Sequence, residues 1–456
     1  MINEFRKNLL LGNVRKNLII DGGCVLGLLT VCFAIDDLSF SFFTERVAKI
    51  LFVLVVLFRG ARLVSDTLTD EFQNNMWDFI RLSRQSAFSL VWSKLLGRTI
   101  TVWLGGSIAL TAYAFAEAKW LDPWTIAIVI TSFIAAGVIT HVVTFLVQLL
   151  AIYRQQSEGY DIGKMNRLGV QIIGLLAALP ILSTIYESNS LGTILDGVIW
   201  YGWYIDLPLV LLCLTVFAIT WALIASAMMM RRLLAYVPVF WVWPVFLISF
   251  ALVINGFETL PYSLYYIGTL FSGGVSGIHL ITLGFAAIIY VLLCFEPLGP
   301  NHIQALIKQL SSRTAIDILQ HLPRSIITLV GMVAVIAVSL IFTHPTQDAS
   351  VKITLALLYI GRDVLLVYGL ALRLCRHRKT LASTPIIITI LLLYFALPFG
   401  LDQIGLNFIA TLTSPIVGND WMALLSAIGQ LVMVTVFAFR QITIMRDSKV
   451  SHAQGQ

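Results

Sequence analysis

The chain has 456 residues, 58% of them hydrophobic and only 12% charged, with 30 Lys and Arg against 24 Asp and Glu. Soluble domains carry about twice that share of charge, and the mean hydropathy of +0.89 points the same way. A water-soluble enzyme is excluded by this composition. The net charge of +6 reflects where the basic residues fall along the chain, so nucleic acid is not implied.

A helix needs ~20 apolar residues to cross the hydrocarbon of a bilayer. Apolar stretches of this kind predict spans at about 17–35, 46–64, 99–117, 125–152, 168–187, 206–230, 237–255, 277–295, 325–343, 352–372, 384–401 and 421–440. The expected fold is therefore all-α, a polytopic integral membrane protein of about twelve transmembrane helices. Threaded from a cytoplasmic N-terminus, the alternate loops on the cytoplasmic side collect nearly all the Lys and Arg. The exceptions are Arg46, Lys49, Lys119 and Lys352 on the far side, with Arg59 and Arg362 inside spans. Basic residues concentrate on the cytoplasmic side of membrane proteins, so both termini are expected there.

In chain order, residues 1–16 predict a surface helix, with Ile2, Phe5 and Leu9 on one face. The first span has a basic flank but no clean small-residue cleavage site over Thr30–Asp37, so it does not read as a secretory signal. Arg59 lies past the middle of the second span and is expected to snorkel to the surface. Asp21, Glu117, Asp206 and Glu296 lie near span ends and are expected to be solvated. His141 reads as a packed, hydrogen-bonded core histidine.

The longest informative cytoplasmic segment is 65–98. Phe72, Met76, Phe79 and Ile80 recur at helical spacing, a break follows at Ser83-Arg84-Gln85-Ser86, and Phe88, Val91, Trp92, Leu95 and Leu96 repeat the period. Two short amphipathic helices at the membrane surface are predicted. Further on, aromatic clusters at Trp120/Trp124, Trp200–Tyr204 and Tyr262–Tyr266 fall where the threading puts the outer interface. Residues 302–322 predict a second surface helix, with Ile303, Leu306, Ile307 and Leu310 on one face. Arg362 and Asp363 then lie near the middle of the tenth span. Adjacent helix positions point ~100° apart, so each is expected to pair with a different neighbour, for stitching or for gating.

No chemistry-bearing motif emerges. Gly159 and Gly163-Lys164-Met165 lack the spacing and the hydroxyl of a phosphate loop. The seven histidines are scattered, and the five cysteines read as small packing residues, without a disulfide framework. Neither a cofactor nor a metal is expected, and no loop is long enough for a catalytic domain.

The segment "SDTLTDEFQNNMWDFIRLSRQSAFSLVWSKLLGR" (65–98) resembles the coupling region of type-2 ABC exporter permeases, with Glu71, Trp77, Asp78, Leu82, Lys94 and Leu95 matching the pattern. The stretch "MMMRRLLAYVPVFWVWPVFLISFALVINGF" (228–257) is similar to a second family segment. Where the family usually carries prolines after the Leu-rich turn, this chain has Ser83-Arg84-Gln85-Ser86. The resemblance implies a permease subunit of an exporter in the plasma (bacterial inner) membrane, its ATP hydrolysed by a separate cytoplasmic ATP-binding-cassette subunit. It implies an ATPase-coupling role for Glu71, Trp77, Asp78, Arg81, Leu82 and Lys94, with Trp77 alternatively an interfacial anchor. A permease homodimer or heterodimer is also implied. Residues 1–234 would be one six-span unit and 235–456 a second. A gradient-driven secondary transporter using Arg59, Arg362 and Asp363, or a membrane scaffold without transport, are the rival readings.

Overall fold

A computed structural model of the chain describes residues 19–35, 42–74, 76–82, 85–158, 167–191, 198–236, 239, 241–257, 277–296, 322–343, 347–376, 386–387, 389–390 and 421–454. These residues are predominantly helical, as expected. The chain divides into two compact units.

In the first unit, a wide i→i+5 turn at Ile19–Gly23 leads into α1 (Cys24–Ile35). Next, α2 (Phe42–Phe52), a second wide turn (Val53–Arg59) and α3 (Gly60–Gln73) run on as one continuous helix. Then come the short α4 (Trp77–Leu82), α5 (Ala87–Glu117), α6 (Pro123–Glu158) and α7 (Arg167–Leu191). A hairpin of β1 (Val198–Trp200) and β2 (Trp203–Ile205), which belongs to the second unit as far as Tyr204, precedes α8 (Leu207–Leu233) of the first. Phe52, Val56, Tyr113, Phe133 and Ala136 form one core of this unit, and Val64, Leu68, Leu90, Phe145, Leu149 and Met230 form another.

Local chemistry sets the helix ends. The Ser86 hydroxyl accepts from the Ser89 N–H at 3.2 Å and starts α5, a cap worth ~1 kcal/mol. Asp122 accepts from the Thr125 N–H at 3.0 Å and from its hydroxyl at 2.7 Å. These two donors hold the exposed Asp122 carboxyl below the usual carboxylate range. At the end of α8 the Tyr236 N–H bonds Arg231 O and the Ala235 N–H bonds Arg232 O. This is a Schellman closure, and its left-handed residue is Ala235 at φ 62°.

The second unit holds α9 (Val242–Asn255), α10 (Gly277–Phe295), α11 (Arg324–Thr343), α12 (Gln347–Arg376) and α13 (Trp421–Gln454). Phe285, Ile289, Met332, Ile360, Val364 and Val367 form its core. A second cluster around Leu355, Tyr359, Ala423 and Ala427 joins α12 to α13.

Among the described residues, five helices are long and apolar enough to cross a membrane: Ala87–Glu117, Pro123–Gln156, Leu207–Leu233, Ser350–Leu374 and Met422–Ile444. Met422, Leu425, Val432, Val436 and Phe439 on the last of these are exposed. Apolar faces this extensive need lipid over them, so the chain is an all-α membrane protein. Shorter apolar helices run over Asp21–Ala34, Arg167–Leu182, Val242–Asn255, Leu280–Phe295 and Arg324–Leu340. The expected surface helices at 1–16 and, but for residue 322, at 302–322 lie outside the described residues, as does most of the expected span 384–401.

Two expectations change. The second amphipathic helix of 65–98 is no separate element, because its residues are the first turns of the 31-residue α5. No proline falls between Ser86 and Glu117, and isolated glycines such as Gly97 do not stop a helix, so the surface segment and the span fuse. The first helix likewise runs unbroken out of α2 and the wide turn that follows it. The wide turn there presents the Val56 carbonyl to His141, whose Nε2–H donates to it at 2.8 Å. His141 is buried against Trp103, a core histidine as expected. A Cβ on Gly60 would stand 2.1 Å from His141 Nε2, so only glycine admits the ring.

Gly60→Ala is therefore expected to lower stability by about 1–3 kcal/mol, measured by thermal unfolding in detergent. The loss should shrink when His141→Ala is also present. In the same assay Ala235→Gly is expected to raise stability by about 1 kcal/mol, because it removes a side chain from the left-handed position.

Candidate functional site

The hairpin between α3 and α5 is built from the inside out. Successive residues in a helix turn by ~100°, so Trp77, Ile80 and Arg81 share one face of α4 while Phe79 and Leu82 share another. Trp77 is buried at 5% exposure and packs on Phe72, ring centroids 6.2 Å apart. Arg81 donates from Nε at 3.2 Å and Nη2 at 3.0 Å to the carbonyl of Leu233. That carbonyl belongs to the last turn of α8, where helix geometry leaves acceptors open and favours a cation. On the opposite face, Phe79 is 79% and Leu82 80% exposed. Asp78 occupies the second position of the same helix.

The grouping of Phe72, Met76, Phe79 and Ile80 on one face does not hold. The helix stops at Gln73 and restarts at Trp77. That break resets the helical phase, so Phe72 and Ile80 turn inward with Trp77 while Met76 and Phe79 are exposed.

Glu71 and Lys94 form an ion pair across the hairpin, with the Lys94 side chain fully enclosed. An ammonium in such a place keeps its charge only beside a counter-charge. Asp66 pairs with Arg167 at 3.1 Å. Gln148 donates to Thr69 Oγ1 at 2.8 Å and accepts from Ser65 Oγ at 3.4 Å. Four side chains of α3 are thus tied by polar contacts to α5, α6 and α7. Sequence reasoning missed Gln148, although a lone glutamine in the apolar run Phe145–Leu150 is a usable signal, as is the Ser65/Thr69 spacing of four.

Deeper in the first unit, Arg59 Nε lies 2.5 Å from Asp21 Oδ1, and Asp21 is 2% exposed. Arg59 does not snorkel and Asp21 is not solvated: the pair satisfies itself inside the bundle, which is cheaper than dragging either charge to water alone. Glu117, expected in solvent, is also buried, with Glu45 beside it. Glu45 in turn pairs with Lys49, whose ammonium sits 5.2 Å from the Tyr113 ring centroid.

In the second unit Arg362 and Asp363 pair with each other, Nη2 to Oδ1 at 2.7 Å, which corrects the expectation of separate partners only. Long guanidinium reach overcomes the angular offset of adjacent positions. Each also takes a second neighbour: Arg362 bonds Gln430 on α13 and lies 4.7 Å from the Tyr359 ring centroid, and the Tyr290 hydroxyl donates to Asp363 Oδ2 at 2.7 Å. Glu296, expected in solvent, accepts from the Ser325 N–H at 2.9 Å and the Tyr368 hydroxyl at 2.6 Å. It thereby caps the start of α11 from another helix. Asp206 is exposed, as expected.

Among the described residues no group of three or more His, Cys, Asp or Glu could hold a metal ion. No family model matches the chain, and neither a curated protein nor a solved structure shows significant similarity to it.

Glu71→Gln, which leaves the enclosed Lys94 without a counter-charge, is expected to cost about 3 kcal/mol or more. The pair Glu71→Gln with Lys94→Met should recover most of that loss. Chemical or thermal unfolding of the three variants in detergent checks both statements.

Proposed function

We propose that this chain is the membrane-spanning permease subunit of an ATP-driven exporter, with hydrolysis on a separate cytoplasmic ATP-binding-cassette partner. In this reading the chain crosses the plasma membrane about twelve times, has both termini in the cytoplasm, and works as a dimer or through its own two halves. One observation carries the proposal: Phe79 and Leu82 protrude from a short helix whose other face is fastened down by Trp77 and Arg81. Large apolar side chains held out from a rigid base are what a protein partner grips. The base is continuous with two long helices, α3 running on from the preceding span and α5 being a span itself, so a push on α4 reaches the membrane as rigid-body motion.

Within this reading the six coupling residues divide. Of the six, Leu82 makes the contact, joined by Phe79 from outside the set, and Asp78 stands between Trp77 and Phe79 in the chain. Trp77, Arg81 and the Glu71–Lys94 pair hold the contact in place. Removing Glu71 would loosen the hairpin, so it does not isolate docking. Substituting the protruding side chains does.

The test places a photo-reactive residue at position 79 in native membranes and identifies what it captures. The expected result is an ATP-binding-cassette ATPase, captured from the wild-type surface and lost with Leu82→Ser, while the thermal stability of the chain is unchanged. Capture of lipid or of the chain itself, with gradient-dependent flux that Asp363→Asn abolishes, would overturn the proposal for a secondary transporter.

A further inference from the structure

The hairpin β1–β2 is held by a set of contacts that its size alone does not explain. Two-stranded hairpins are marginal in water, and this one has only three residues per strand. Its turn residues, Tyr201 and Gly202, have φ of 47° and 77°. Two positive φ angles make the mirror-image turn whose twist matches the strands, a conformation that suits glycine but not tyrosine.

Tyr201 is kept there by its surroundings. Its N–H donates to Gly256 O at 2.8 Å and its hydroxyl to Leu252 O at 2.7 Å. Trp200 Nε1–H donates to Val253 O at 3.0 Å, and its strand bridges Phe257. A Cβ on Gly256 would stand 2.2 Å from Trp200 Nε1, so the fit admits only glycine. The two rings thus satisfy two of the four carbonyls that the C-terminus of α9 leaves without helix partners, those of Leu252 and Val253. The next two aromatics behave differently: Trp203 is 74% and Tyr204 65% exposed.

Their surroundings identify what covers them. Val245, Ile248 and Leu252, spaced at helical intervals along α9, are all exposed and mark its lipid-facing stripe. The hairpin sits at the end of that helix, beside Asn255. Tyr204 is also three residues before Leu207, the first residue of a candidate span, so it lies within ~10 Å of the span's start. Both neighbours put the exposed rings at the edge of the hydrocarbon. Trp and Tyr concentrate at that depth because the ring is apolar and its N–H or O–H needs a polar partner.

We infer that β1–β2 is a membrane-interface anchor, in which Trp200 and Tyr201 fasten the hairpin to the end of α9 and Trp203 and Tyr204 sit in the headgroup–glycerol layer of the bilayer. The four aromatics therefore divide by task, two toward protein and two toward lipid. The anchor fixes the depth of the α9 end. This inference needs the chain to be membrane-embedded and does not depend on the exporter reading.

The test uses the full chain in vesicles of phosphatidylcholine and phosphatidylglycerol, with a nitroxide attached through p-acetylphenylalanine at position 204. Power saturation against oxygen and a water-soluble nickel chelate reads its depth. A second preparation carries the label at Ile248, seven residues inside the helix end and so ~10 Å deeper. Expected are a label at 204 near the phosphate level, reached by both reagents, and a label at 248 reached by oxygen alone. With Trp203→Ser, the label at 204 should gain access to the nickel chelate by about twofold or more. A label at 248 deep in hydrocarbon with the label at 204 fully in water would overturn the anchor while leaving the membrane reading intact. Protection of position 204 from both reagents would overturn it in favour of a protein covering. A label at 248 exposed to water would remove the membrane premise itself.

Discussion

An ionised side chain inside an apolar bundle survives only with its counter-charge beside it, and much of this structure follows from that constraint. Three pairs of this kind, and a fourth that is partly exposed, sit among its helices. Asp21 with Arg59 ties the wide turn at Ile19–Gly23 to the one before α3. Glu71 with Lys94 closes the hairpin, and Asp66 with Arg167 joins α3 to α7. Arg362 with Asp363 centres the polar seam between α10, α12 and α13. Without a hydrophobic driving force between helices in lipid, such polar contacts are what distinguishes one packing from another.

The consequence for function is a division between residues that hold and residues that touch. Lys94 and Trp77 are enclosed, and Arg81 is committed to a helix-end carbonyl. Phe79 and Leu82 on the same short helix are left outside. The β1–β2 hairpin repeats the scheme with different chemistry: Trp200 and Tyr201 take up backbone acceptors and Trp203 and Tyr204 face out. In both places a rotation of one or two residues along the chain separates the structural face from the exposed one.

Much of the fold was legible because hydrophobicity is a long-range average. Runs such as 125–152 and 206–230 mark their helices to within a few residues, and so do 277–295 and 325–343. What was not legible depends on partners far apart in sequence. Asp21 and Arg59 are 38 positions apart, and nothing local in either neighbourhood announces the other. The reading of Arg59 as a snorkelling side chain used its depth alone, and depth was the lesser influence. Phase is the second limit. A helical period carried across Asn74–Met76 assigns Phe79 to the wrong face, because a break of a few residues rotates everything after it. Arg362 and Asp363 were found by their rarity in an apolar run, the one signal that needs no partner to be seen.

The wide turn at Val53–Arg59 brings these strands of the argument together. Such turns lengthen a helix by a residue and free a carbonyl from its usual partner. Here the freed carbonyl, on Val56, is taken by His141, and the last residue of the turn, Arg59, reaches Asp21. Gly60, immediately after, leaves room for the histidine ring. The helix that carries Ser65, Asp66, Thr69 and Glu71 therefore begins from a point held by its own Arg59 and by Asp21 and His141 from two other segments. The polar contacts of Ser65, Asp66, Thr69 and Glu71 then hold the rest of its length. The exposed Phe79–Leu82 surface thus follows a helix whose start, at Arg59 some twenty residues earlier, is held by Asp21 and His141 from elsewhere in the chain.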